Sequence, residues 1–268
     1  MEDIKLIAEI GWNHMGSINL AEKMIKAAKK SGADYAKFQT WSVKNLKAGP
    51  WDKDGRRQIY EKAELTKSDY TKLSKIFKKY KINFLTSIFN HKDHELINHL
   101  KSQTIKIPSP ENRNKNLLKF VSKKYKNIFL STGAAKIREI QKSLKYLNKN
   151  KVTVMHCVSA YPCNDEHVDL NRINSLKKIS KNIGLSDHTH DIISCLFSLS
   201  QGITLIEKHF TVDNNLPGRD NKFAILPDKF LELKKNIDRY KLMTKKNNGK
   251  FIAQEKEIRE IYTGRWSK

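Results

Sequence analysis

Two hydrophobic rhythms alternate along the chain. Short β-rich apolar runs recur at Lys5–Ile10, Asp34–Gln39, Ile82–Ser87, Thr104–Ile107, Asn127–Ser131, Val152–His156, Ile183–Ser186 and Ile203–His209. Between and after them lie stretches with apolar positions at helical spacing, near 17–31, 67–80, 91–101, 114–125, 136–148, 169–181, 189–200 and 227–243. Strands regularly separated by helices predict a parallel sheet, because parallel neighbours need a crossover between them. Eight consecutive β/α units in about 250 residues match a (β/α)8 TIM barrel, and a doubly wound sheet seldom needs that many. The barrel is expected over residues 1–244, with 245–268 as a polar tail carrying a helical patch. The longest irregular stretch, 41–66, is the candidate lid or partner-contact loop. It carries Trp41, Trp51, Arg56, Arg57 and Tyr60, residue types enriched at interfaces.

Composition narrows the class. At 38% apolar and 9% aromatic residues, the 268-residue chain has enough apolar side chains for a large core and too many for a disordered one. No run of 18 apolar residues exists, so no membrane span is expected. The start, Met1-Glu2-Asp3-Ile4-Lys5, has no basic segment leading into an apolar one, so no signal peptide is expected either. Cys157, Cys163 and Cys195 are odd in number and form no CxxC pair, which fits a reducing, cytoplasmic setting. The formal charge of +24 raises nucleic-acid binding as a hypothesis. Yet 43 of the 52 basic residues are lysines dispersed over predicted helix faces, a solvated basic surface rather than a footprint. Neither a nucleic acid nor a membrane is expected as a partner.

In a TIM barrel the chemistry sits at the C-terminal ends of the strands, and polar residues gather there. In strand order they are Glu9; Lys37 and Gln39; Thr86 and Ser87; Lys106 and Ser109; Ser131 and Thr132; His156; Ser186, Asp187 and His188; and Glu207 and His209. Alternation places Tyr35, Lys37 and Gln39 on one face, and Leu205, Glu207 and His209 together on another. Charged side chains inside apolar strands are rare unless paired, so Lys37 and Lys106 point to an anion at the mouth. The alternatives are a structural pair between Lys37 and Glu9 and a solvent-facing Lys106. His188 and His209 end consecutive strands, so two imidazoles meet at a mouth bearing carboxylates, as metal ligands would. His156 reads as a core histidine, and Cys157 and Cys195 as small core residues. Gly133 lies at a strand-to-helix turn of the kind that suits phosphate.

A series of motifs runs along the chain: Ala8-Glu9-Ile10-Gly11-x-Asn13-His14-x-Gly16, Lys37-Phe38-Gln39, Lys106-Ile107-x-Ser109-x-Glu111 and Leu130-Ser131-Thr132-Gly133. His156-Cys157-x-x-x-Tyr161-Pro162, Gly184-Leu185-Ser186-Asp187-His188-Thr189, Glu207-Lys208-His209-Phe210-Thr211 and Leu216-Pro217-Gly218-Arg219-Asp220 follow. In this order they resemble the sialic acid (N-acetylneuraminate) synthase family, from residue 7 to about 230. It implies condensation of phosphoenolpyruvate with an open-chain N-acetylated hexose, giving a nine-carbon 2-keto acid and phosphate. It also implies a divalent metal, commonly Mn2+, held by His188 and His209. Lys37, Lys106, Ser109, Ser131 and Ser186, with Gln39, Thr86, Ser87 and Glu207, correspond to the substrate-binding set. Glu9, Glu111, Tyr161 and Asp220 correspond to residues that hold or activate the sugar and water. Members typically carry an antifreeze-like domain after the barrel; this chain reads as a short form without it, and a homodimer is expected to complete the sugar pocket. The alternatives are another phosphoenolpyruvate-condensing sugar-acid synthase and an inactive sugar- or partner-binding barrel.

Overall fold

The computed structural model describes residues 3–147, 152–246 and 248–267. Eight parallel strands close in sequence order into a barrel: β1 (Lys5–Gly11), β2 (Tyr35–Thr40), β3 (Asn83–Ile88), β4 (Thr104–Ile107), β5 (Asn127–Ser131), β6 (Val152–Cys157), β7 (Ile183–Asp187) and β8 (Leu205–His209). Both faces of such strands are covered, which is why they read as near-continuous apolar runs. Ile7, Leu85, Phe129, Met155 and Leu205 meet inside the barrel with Tyr35 against them and plug its interior. Each such buried side chain contributes about 1.5–3 kcal/mol. The alternate positions, among them Leu6, Ala8, Ile10 and Phe38, form the larger core between sheet and helices. The floor of the site is therefore a packed apolar layer, and polar groups begin one strand repeat above it.

Helices α1 (Ile18–Lys30), α2 (Arg56–Ala63), α3 (Lys67–Tyr80), α4 (Lys115–Lys124), α5 (Ile137–Leu144), α6 (Arg172–Lys177), α7 (Ile193–Leu199) and α8 (Pro227–Met243) surround the barrel, and α2 falls inside the 41–66 stretch expected to be irregular. In α1, Ala21, Met24, Ile25 and Ala28 make the buried stripe, Ser17 Oγ caps the N-terminus by accepting from Leu20 N (3.2 Å), and Lys29 and Lys30 close the last turn. α3 starts on a capping box between Thr66 and Asp69.

Three expectations need correction. The helix expected over 91–101 is two 3-10 turns, Lys92–Leu96 and Asn98–Leu100. Asn90 and Asp93 cap the start of the first turn reciprocally, and buried Asp93 also accepts from Asn45 Nδ2, which ties this short turn to the segment after β2. The helices near 136–148, 169–181 and 189–200 are shorter than their apolar pattern, and residue 148 lies outside the described residues. The tail is not simply polar. It carries helix α9 (Ala253–Glu257) and the π-turn Ile258–Tyr262, and along it Phe251, Ile252, Ile258, Ile261, Tyr262 and Trp266 are exposed.

Candidate active site

Alternation carries four charged side chains into the barrel mouth. Glu9 pairs in register with Lys37, Ser87 with Lys106, and Ser186 with Glu207. Lys37 Nζ lies 2.7 Å from Glu9 Oε2 and 3.7 Å from Glu207 Oε1, while Lys106 Nζ lies 2.8 Å from Glu207 Oε2. Gln39 Nε2 donates to Glu9 Oε1 (2.9 Å), and Ser186 Oγ to Glu207 Oε1 (3.2 Å). None of the four charged side chains is more than 7% exposed, so each needs its partners. Both structural alternatives are thereby addressed: Lys37 does pair with Glu9, and Lys106 faces the mouth, not solvent. Burial pushes the Glu9 carboxyl up to about 7 despite Lys37. Burial opposes ionisation of Glu207 as well, but Lys106 and Lys37 outweigh it and hold that carboxyl below the usual range. Two carboxylates of unequal acidity thus sit on two lysines, a setting for binding an anion and moving a proton.

Beside this cluster, the His188 and His209 rings lie 5.3 Å apart between centroids. Tyr161 packs 4.1 Å from His188, and Phe223 5.0 Å from His209. His188 Nδ1 meets the Val158 carbonyl at 2.6 Å. A carbonyl only accepts, so Nδ1 carries the proton and Nε2 keeps its lone pair. His209 Nδ1 has no hydrogen-bond partner and stands 3.6 Å from Asp220 Oδ2. Burial lowers His188 to about 4 and His209 well below the ordinary imidazole value, so both are neutral at pH 7, the form that ligates metals. Burial raises Asp220 to about 6. Among the described residues no set of three or more His, Cys, Asp or Glu side chains converges on one point. The donors fit a divalent cation held by two imidazoles, with the remaining positions left to oxygen ligands.

A third group frames the turns after β4, β5 and β6. Gly133 N donates to Ser109 Oγ (3.1 Å), and Ser109 Oγ meets Cys157 Sγ (3.4 Å). A Cβ at Gly133 would stand 2.7 Å from Ser109 Oγ and closer still to Ser159 Oγ, so any larger residue there would have to displace both serine hydroxyls. Asn112 Nδ2 ties the carbonyls of Ser131 (3.3 Å) and Gly133 (3.1 Å) together. Ser87 and Ser131 are buried in the mouth register, and the Ser87 hydroxyl has no partner.

Two expected site residues stand elsewhere. Thr86 bonds Thr40 Oγ1 (2.7 Å) and the Phe38 carbonyl (3.0 Å) on the helix-facing side, because strand alternation turns it away from Ser87. Glu111 lies on a 3-10 turn and accepts from Asn114 Nδ2 (2.7 Å), bracing the start of α4 rather than the charged cluster. His156 bonds the Val168 carbonyl (2.6 Å), as a core histidine does.

The sequence reading missed Trp12 and Phe89. Trp12 stacks on Tyr60 (5.2 Å, 21° between planes), Trp41 meets both edge-on, and Phe89 meets Trp41. Glu64 pins the base of the 41–66 segment by accepting from Ser42 Oγ and Val43 N. The segment is thus a fixed wall built on α2. The available signal was an aromatic residue directly after Gly11, whose left-handed backbone (φ +55°) turns the chain out of β1.

Comparison with known proteins gives a consistent picture. The NeuB family profile matches residues 24–249. The chain is 38% identical over 244 residues to the N,N'-diacetyllegionaminic acid synthase of Campylobacter jejuni, covering 85% of this chain and 73% of that one. It is 35% identical over 243 residues to a pseudaminic acid synthase of Campylobacter jejuni, covering 84% and 70%. In structure it is similar to the N-acetylneuraminic acid (sialic acid) synthetase of Leptospira borgpetersenii solved with citrate. That match has a TM-score of 0.85 at 29% identity and covers 99% of this chain and 93% of that one.

Proposed function

The chain belongs to the NeuB family, and on that premise we propose that it condenses phosphoenolpyruvate with an open-chain N-acylated hexose to give a nonulosonic acid and phosphate. The observation that carries this reading is the buried pair Lys37 and Lys106 bridged by Glu207, 3.7 and 2.8 Å from the two ammonium groups respectively, next to two neutral imidazoles. Phosphoenolpyruvate presents a carboxylate and a phosphate, which two lysines and the hydroxyls of Ser87, Ser109, Ser131 and Ser186 can hold against competition from water. Its enol C3 attacks the sugar aldehyde carbon, forming the new C–C bond while the aldehyde oxygen takes a proton. The positive charge left at C2 is stabilised by the Glu207 carboxylate. Water then adds at C2, and Glu9, poised near neutrality and steadied by Gln39, takes its proton. Collapse of that adduct breaks the bond from C2 to the phosphate oxygen and releases phosphate with the 2-keto acid.

His188 and His209 would hold a divalent metal, Mn2+ by family resemblance, whose contribution when bound is to polarise the sugar aldehyde as a Lewis acid. Tyr161 and Asp220, on either side of the histidines, orient the sugar; the wall of Trp12, Trp41 and Tyr60 closes its pocket. The exposed apolar tail supports a homodimer. No described helix is long and apolar enough to cross a membrane; with three free buried cysteines, a cytoplasmic location is proposed. The test is phosphate release from phosphoenolpyruvate with a panel of N-acylated hexoses and Mn2+. Release that requires both substrates is expected; release with phosphoenolpyruvate alone, or none with any sugar, contradicts the reading.

A further inference from the structure

Behind the two histidines lies a second buried ion pair that the condensation does not use. Asp187 and Lys208 are register partners on β7 and β8. Each immediately precedes a histidine in sequence, Asp187 before His188 and Lys208 before His209. Alternation turns the histidines into the mouth and this pair toward the helix layer. Lys208 Nζ lies 2.5 Å from Asp187 Oδ2, and the two side chains are 2% and 3% exposed. Lys208 also donates to the Thr189 carbonyl and to Thr189 Oγ1 (3.1 Å). Thr189 Oγ1 and N in turn donate to Asp187 Oδ2 (2.9 Å) and Oδ1 (3.3 Å). The backbone on both sides of His188 is therefore fastened to the side chain that precedes His209.

Apolar residues of the same volume would serve packing equally well here, since a buried ion pair is often no more stabilising than its hydrophobic replacement. They would supply no donor for the Thr189 carbonyl and no acceptor for its N–H. What the charged pair adds is a fixed spacing of two strand ends. Resting on the reading of His188 and His209 as metal ligands, we propose that the Asp187–Lys208–Thr189 network is a positioning device that sets the separation of the two imidazoles for one divalent cation.

The test replaces both charges together, Asp187→Leu with Lys208→Met, so that no buried charge is left unpaired. Wild type, the double variant and His188→Ala are titrated with Mn2+ alone by electron paramagnetic resonance, and each is melted thermally. The inference expects a folded double variant whose Mn2+ dissociation constant rises about 10–100-fold, the range for groups that orient metal ligands. A folded double variant that binds Mn2+ as wild type does, while His188→Ala loses it, overturns the inference and leaves the metal reading intact. If His188→Ala also binds like wild type, the metal reading falls and the inference with it. Should the double variant not fold, Lys208→Arg gives the decision: it keeps the charge but changes the donor geometry, and unaltered Mn2+ affinity would overturn the proposal.

Discussion

Lys106 and Lys208 show how one residue type serves two ends. Both are buried lysines in apolar strands, each paired with a carboxylate, at 2.8 and 2.5 Å. Only the face of the strand separates them: Lys106 points into the mouth and Lys208 into the helix layer. Lys106→Ala is expected to weaken phosphoenolpyruvate binding by about 1.5–3 kcal/mol, the worth of a hydrogen bond to a charged group. It also leaves Glu207 with Lys37 at 3.7 Å as its remaining cation. A stability loss of about 3–5 kcal/mol is therefore expected, largely recovered by adding Glu207→Gln. Calorimetric titration and thermal melting measure the two effects, and wild-type affinity in the single variant would show that Lys106 does not hold the anion. The mouth lysines were legible in the sequence because a charged residue inside an apolar strand has few explanations. Thr86 was misplaced because it and Ser87 are equally polar neighbours, and only the register of β3 against β2 tells which of the two faces inward.

At the scale of elements, the eight strands were legible within a residue or two, since burial on both faces writes an unbroken apolar run. Helices were harder after β3, where Asn90 and Asp93 cap a start that reads as helical while Asp93 is also tied to distant Asn45, a contact no local pattern encodes. The 41–66 segment was legible only as an excursion. Its organisation depends on contacts between distant elements, Trp12 on Tyr60 and Glu64 on Ser42, which no local pattern encodes. Because the aromatic cluster fixes this segment beside the mouth, Tyr60→Ala is expected to raise the KM for the sugar at least tenfold. The KM for phosphoenolpyruvate should stay within about twofold, since its lysines lie on β2 and β4. Steady-state kinetics with each substrate varied separately decides this. Equal changes in both constants, or none, would remove the segment from sugar recognition.

For the whole molecule, the barrel supplies a mouth in which two lysines, two carboxylates and two imidazoles meet, and the tail supplies an apolar surface that a single copy leaves exposed. A homodimer is expected in sedimentation equilibrium at micromolar concentration, and replacing Ile258, Ile261 and Trp266 by serine should shift it to monomer; a monomeric parent protein would dismiss that role for the tail. The central claim, carbon–carbon bond formation between phosphoenolpyruvate and an N-acylated hexose, is tested most directly by the mass of the product. Incubation with phosphoenolpyruvate labelled with 13C at C3, an N-acylated hexose and Mn2+ is expected to yield a 2-keto acid three carbons longer than the sugar, carrying the label and no phosphorus from phosphoenolpyruvate. Recovery of unchanged sugar with labelled pyruvate and free phosphate would contradict it.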